Sequence, residues 1–363
     1  MKILVICSDY PNNIGGRAMA YVHTRNLLYL KRGSSIDVIN FEASNDYIVD
    51  GIRVHNEEWL NEERIKEYDL VLFHAANLRQ HYKLLRRYDK SIRKIVFFYH
   101  GHEVLKISKV YSKPFDYVKV NACKRFLQDI YDEFKFVVWR RYLPKIADKA
   151  YFIFVSQWMK NEFLKWIKPT ESLLKDRSFI TYNCVGKIFE EESFNKLEDK
   201  EFDFITIRGN LDNSKYGIDI VNELAMHNPD MKFLLIGKGD FFNHYRKSSN
   251  IVWLSTSLSH DEIPQYLDKA KVALMPTRTD AQGVMMCEMA AYGMPVITSD
   301  IPVCHEVFNG FTGIGYINNS DISNVKLKEL KENIELKSVK NPKYFNSVIG
   351  NQEYDILEQI NNA

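Results

Sequence analysis

Short, continuous apolar runs recur along this chain with longer amphipathic stretches between them, and no other feature restricts its fold as much. The runs at 2–7 (KILVIC), 35–39, 69–73 (DLVLF), 94–98 (KIVFF), 151–154 (YFIF) and 178–181 come first. Those at 203–207, 231–236 (MKFLLI), 251–254, 271–275 (KVALM) and 295–298 (PVIT) follow. A strand apolar on both faces belongs inside a layered sheet, and an intervening helix returns the chain to a parallel neighbour. Helical periodicity covers 17–31, 77–87, the region around 113–146, 157–166, 216–226, 260–269 and 283–292, with a last short helix at 351–362. The expected class is α/β, with doubly wound parallel sheets.

A chain of 363 residues exceeds the size at which a single core usually stops growing. Residues 190–201 (EEESFNKLEDKE) are acidic, polar and aperiodic, which reads as a linker. Two domains with a cleft between them are therefore expected, 1–189 and 190–349, with a helix at about 350–363 packing back on the first. In such sheets ligands lie beyond the carboxyl ends of the strands. No internal repeat or low-complexity tract interrupts the pattern.

The five cysteines (Cys7, Cys123, Cys184, Cys287, Cys304) are odd in number, scattered and without a CxxC pair. Neither a disulfide framework nor a cysteine metal site is suggested, so a reducing, cytoplasmic setting is expected. The first apolar run is too short for a signal-peptide core, and no window approaches the length of a membrane span. The net charge of +2 hides a division. Residues 1–189 carry 32 Lys/Arg against 21 Asp/Glu, whereas residues 190–363 carry 17 against 26. Much of the positive excess lies at 79–149, where Lys and Arg alternate with Tyr, Phe and Trp139. That mixture suits either an anionic bilayer surface or a helix whose rings pack inward. No recognisable nucleic-acid module accompanies it, so no nucleic-acid partner is expected.

The most informative stretch is TDAQGVMMCEMAAYGMPVITSD, residues 279–300. Asp280 falls on the loop after the run at 271–275, and Glu288 falls within the helix that starts near Gly283. Eight residues at helical rise span roughly 12 Å, so these acids cannot share one proton-transfer site. They can grip different parts of one elongated ligand. Gly283 permits close approach to the backbone, and free N–H groups on Ala281, Gln282, Gly283 and Val284 would suit a diphosphate.

The pattern D-x-x-G-x-x-x-x-E-x-x-A-x-G-x-P-V-I resembles the signature of retaining GT-B glycosyltransferases of the glycogen-synthase-like group (glycosyltransferase family 4, glycosyl transferases group 1). Gly283, Glu288, Ala291, Gly293, Pro295 and Val296 match it, whereas Asp280 stands where the family usually has Glu, and Ala281-Gln282 replace Gly-Phe. The resemblance continues in chain order. Gly15 and Gly16 in DYPNNIGGRAMA look like the family's N-terminal glycine loop. His100 in FFYHGHE stands where the family places a histidine facing the donor sugar. FVSQWMKNEFL is similar to the family's strand–Ser–helix start, and TYNCVGKIF to its Asn…Phe turn. In ITIRGNLDNSKYGIDI, Arg208 and Lys215 resemble the family's diphosphate-binding Arg and Lys, with Tyr216 inserted before Gly217. FLLIGKGD lacks the third glycine of a dinucleotide fingerprint. By the resemblance Gly237 and Lys238 lie near the nucleoside.

The resemblance implies two Rossmann-like domains, the first for acceptor and the second for a nucleotide-diphosphate sugar (a UDP- or GDP-sugar). It implies retaining, metal-independent transfer without any cofactor. Arg208 and Lys215 would hold the diphosphate, Glu288 the ribose, and Asp280 and His100 the sugar. A lipid-linked or oligosaccharide acceptor in O-antigen, lipopolysaccharide or capsule synthesis, at the cytoplasmic face of the inner membrane, follows from the same resemblance. A nucleotide-sugar epimerase on the same scaffold and a non-catalytic nucleotide-sugar-binding subunit remain alternatives, because a fold does not fix its chemistry.

Overall fold

Ile3, Leu4, Val5, Ile6 and Cys7 have no exposed surface, so the first apolar run is covered on both faces, as a central strand requires. The computed structural model describes residues 1–13, 18–196 and 199–363. It divides into two compact units.

The first unit comprises Met1–Ile107, Gln128–Asn183 and Ile349–Ala363. Its strands are β1 (Lys2–Cys7), β2 (Ser35–Asn40), β3 (Tyr47–Val49), β4 (Ile52–His55), β5 (Leu70–His74), β6 (Ile95–Tyr99), β7 (Ala150–Phe154) and β8 (Ser178–Ile180). They form one sheet ordered β3-β4-β2-β1-β5-β6-β7-β8. The β3–β4 hairpin is antiparallel and the other pairs are parallel. Strand order reverses between β1 and β5. The terminal helix Asn346–Asn362 places Tyr354, Leu357 and Ile360 in the core that also holds Val5, Val22 and Val38. Its buried Glu353 accepts hydrogen bonds from Arg25 Nε at 3.0 Å, from Thr181 Oγ1 at 2.6 Å and from Tyr29.

The second unit comprises Ser108–Leu127 and Cys184–Val348. Its strands β9 (Phe202–Asn210), β10 (Phe233–Lys238), β11 (Ile251–Leu254), β12 (Ala270–Met275), β13 (Val296–Ser299) and β14 (Ile314–Ile317) are all parallel, ordered β11-β10-β9-β12-β13-β14. The chain winds outward from β9 to one edge, then returns to β12 and winds to the other. The crevice created between β9 and β12 is the topological switch point where such sheets bind ligands.

Several local expectations are corrected. The short β3, β4 and β14 are not among the expected strands: β3 has only three residues (YIV), β4 alternates apolar with polar residues (IRVH), and β14 is interrupted by Gly315 (IGYI). The helix expected over 113–146 forms only at Ala122–Tyr142. Pro114 cannot continue a helical hydrogen-bond ladder, and Tyr117 instead donates to Asp212 at 2.7 Å and stacks on His244 at 4.2 Å. The helix over 260–269 shrinks to Ile263–Leu267, with Pro264 near its start. Residues 190–196 are bound to the second unit rather than bridging as a linker: Phe194 N donates to the Tyr292 carbonyl at 2.9 Å and Asn195 N to Asp268 at 3.0 Å.

The helix Ala122–Tyr142 turns Asp132, Phe136, Trp139 and Tyr142 inward, so Trp139 is a core residue and not a surface aromatic. Its other face exposes Phe126, Leu127, Ile130 and Phe134. No helix among the described residues is long and apolar enough to cross a membrane.

Candidate functional site

β9 carries Arg208 close to its carboxyl end, where the strand runs out of the sheet between two neighbours. Arg208 is only 6% exposed, and its guanidinium donates from Nη2 to the Pro276 carbonyl at 2.7 Å and lies 5.0 Å over the Tyr216 ring. Its buried Nε has no hydrogen-bond partner among the described residues. Burial pushes the guanidinium below its usual value, and the charge of Asp280 opposes that shift. A buried cation with an unused donor is an arrangement that an anion completes.

Lys215 stands in a short 3-10 turn, Ser214–Tyr216, capped by the Asn213 side chain, which accepts from Lys215 N. Gly217 follows with φ +61°, and a Cβ there would lie 3.2 Å from the Pro276 carbonyl oxygen. This turn and the loop after β12 are laced together. Arg278 N donates to the Lys215 carbonyl at 2.8 Å, and the Arg278 guanidinium bonds Ser214 O at 2.7 Å and Asp219 at 2.6 Å. Lys215 Nζ comes within 3.5 Å of Asp280 Oδ1. Arg208, Lys215 and Asp280 are thus gathered at the β9/β12 switch point.

Asp280 Oδ1 also accepts from Ala281 N at 2.8 Å. One of the four N–H groups expected to be free is therefore taken by the carboxylate beside it. Gln282 is buried, while Val284 opens the helix Val284–Tyr292. Gly283, at φ +73°, is the N-cap of that helix and, lacking a side chain, makes no side-chain cap bond to it. Glu288 lies on the helix with 2% exposure, and burial pushes its carboxyl up. It accepts from Gly186 N at 3.1 Å and lies 3.7 Å from His260 Nδ1, a partner set separate from that of Asp280.

Gly237 is the penultimate residue of β10, beside the first cluster. A Cβ there would fall 2.1 Å from the Arg208 carbonyl oxygen, so only glycine lets β10 pass the Arg208 backbone. Lys238 is exposed. His100 lies in the first unit, one residue past β6, while Gly15 and Gly16 fall outside the described residues. Among the described residues no group of three or more His, Cys, Asp or Glu side chains is placed to hold a metal.

Sequence reasoning missed Tyr216, Arg278, Gly186 and His260. Tyr216 and Arg278 flank residues already singled out, but only folding shows that one underlies Arg208 and the other ties two loops together.

Residues 204–326 match the family model described as Glycosyl transferases group 1, a span that contains Arg208, Lys215, Gly237, Asp280, Gly283 and Glu288. An uncharacterized glycosyltransferase of Methanocaldococcus jannaschii is 29% identical over 210 residues, 54% of this chain and 53% of that one. The match thus spans about half the length of that curated relative. Among solved structures, sucrose-phosphate synthase of Thermosynechococcus elongatus superposes with a TM-score of 0.67 at 14% identity, covering 99% of this chain and 98% of that one. The HepE protein of Anabaena, in complex with UDP and glucose, gives 0.65 at 12% identity over 99% and 100%. WaaG, a glycosyltransferase involved in lipopolysaccharide biosynthesis, gives 0.61 at 13% identity over 98% and 99%. At these identities the likeness is one of fold: two Rossmann-like parallel-sheet domains of the GT-B kind.

Proposed function

We propose that this chain is a retaining, metal-independent glycosyltransferase that moves a sugar from a nucleotide-diphosphate donor to a hydroxyl of a glycan acceptor. The observation that carries the reading is the buried Arg208, whose Nε lacks a partner among the described residues and which shares the Tyr216 ring with Lys215 at the β9/β12 switch point. Two cations converging there offset the charge that develops on a departing diphosphate, a large contribution where water is excluded. In this reading Arg208 and Lys215 hold the diphosphate, Asp280 the sugar hydroxyls and Glu288 the ribose. Gly237, Lys238 and residues 281–284 surround the nucleotide. His100, Gly15 and Gly16 are assigned by resemblance alone. The leaving phosphate takes the acceptor proton, so no side-chain base is required.

The acceptor is proposed to be lipid-linked, in cell-surface polysaccharide synthesis such as O-antigen or capsule, with the protein at the cytoplasmic face of a membrane. Its support is the apolar face Phe126, Leu127, Ile130 and Phe134, exposed beside Lys124 and Arg125. The decisive experiment incubates the protein with UDP- and GDP-sugars, with and without membranes that supply acceptor lipid. Free nucleoside diphosphate appearing only with acceptor is expected, and Arg208→Gln should abolish it. Donor consumption without acceptor would favour an epimerase or hydrolase instead.

A further inference from the structure

At the carboxyl ends of β5 and β6 two histidines meet. His74 ends β5, pairs in register with Phe98 and has no exposed surface. His100 follows β6, and its Nε2 lies 3.1 Å from His74 Nδ1. The rings are inclined by 22° with centroids 5.3 Å apart, as rings joined edge to edge through one N–H···N bond. His74 stacks on Phe98 at 4.3 Å, and His100 rests against Tyr21 at 4.7 Å. The backbone is held as well: buried Glu103 accepts from His100 N and from Gly101 N, the latter at 2.9 Å.

One proton occupies the contact between the two rings, and the surroundings decide whose it is. His74 Nε2 is buried and has no hydrogen-bond partner among the described residues. If His100 were the donor, neutral His74 would have to carry its proton on Nε2, burying an N–H with no acceptor. If His74 donates from Nδ1, only a lone pair is left unused at Nε2, the less costly arrangement. A doubly protonated His74 is disfavoured by burial and by the nearby His100, Arg25 and His81. His74 therefore donates and His100 Nε2 accepts. Neutral His100 then carries its proton on Nδ1, for which no partner exists among the described residues.

We propose that His74 is a positioning residue that fixes the tautomer of His100, so that His100 presents Nδ1–H as a hydrogen-bond donor to a ligand oxygen. A neutral donor cannot act as a base from that atom, which places His100 in recognition of a hydroxyl or phosphoryl oxygen. That this oxygen belongs to a sugar substrate rests on the glycosyl-transfer reading; the tautomer itself does not.

The test uses imidazole-¹⁵N-labelled full-length protein without ligand, with long-range ¹H–¹⁵N correlation near neutral pH and the His100 signals assigned through His100→Gln. Wild type should show His100 protonated on Nδ1. His74→Leu should move the proton to Nε2, whereas His74→Asn, which keeps an N–H near the Nδ1 position, should retain it on Nδ1. Turnover should fall about five- to tenfold in His74→Leu, the scale of one neutral hydrogen bond, and recover in His74→Asn. A wild-type His100 protonated on Nε2, or an unmoved proton in His74→Leu, overturns the assignment. If His74→Leu does not fold, the wild-type and His74→Asn spectra decide. A moved proton with unaltered kcat and KM overturns the role in recognition. Failure of wild type to turn over any nucleotide sugar overturns the glycosyl-transfer reading alone, and the spectra still decide the tautomer.

Discussion

Lys215 Nζ lies 3.5 Å from Asp280 Oδ1, with the two side chains only 17% and 16% exposed. Among the described residues this carboxylate is the one acid paired with the lysine, and it also accepts from Ala281 N. Asp280 is thus paired with the cation proposed for the diphosphate, and is itself proposed to meet the sugar.

Replacing Asp280 by Asn removes that charge while keeping nearly the same shape. Turnover is expected to fall on the order of a hundredfold, as for the misplacement of a reacting group. Nucleoside diphosphate binding should be retained, because Arg208 and Lys215 remain. Calorimetric titration beside steady-state rates checks this, and unchanged turnover would remove Asp280 from the site.

Gly237→Ala would set a methyl group against the Arg208 carbonyl, at a φ of +156° that side chains rarely adopt. Displacing either strand end should cost about 1–3 kcal/mol of stability. It should also weaken diphosphate binding, since Arg208 must shift. Thermal unfolding and nucleotide titration of the purified variant measure both.

Glu288 carries a pH prediction. Burial pushes its carboxyl above the ordinary value of 4.5 in the folded protein, against the opposing pull of His260 and Gly186 N–H. The folded protein then binds more proton than the unfolded chain, so this stabilising contribution is complete below 4.5 and is lost as pH rises through the elevated value. Glu288→Gln, neutral throughout, should gain stability relative to wild type as pH increases across that window. Melting temperatures of both proteins between pH 4 and 7 test it; parallel curves would contradict the shift.

Arg25 and Glu353 form a buried ion pair at 3.0 Å, with side chains 3% and 1% exposed. Glu353→Ala leaves the guanidinium buried without its carboxylate. A loss of about 3–5 kcal/mol is expected, with release of the terminal helix from the first unit. Denaturant unfolding gives the energy, and hydrogen exchange over 349–362 shows whether the helix has opened.

The sequence by itself determined two parallel-sheet units, because strands covered on both faces must be apolar at successive positions and therefore mark a contiguous stretch. It also indicated that Asp280 and Glu288 cannot share one proton-transfer site, in keeping with the separate partners the fold gives them. Strands β3, β4 and β14 left no such mark, and Pro114 cut short a helix whose aromatic and basic content looked continuous. Tertiary structure alone decided that Lys215 reaches Asp280, that Arg208 Nε finds no partner among the described residues, that His74 meets His100, and that Arg25 finds Glu353 across 328 positions of chain. Periodicity records which face of an element is buried. It carries nothing about which distant side chain lies opposite, because that is set by strand order and loop path once the sheet has closed.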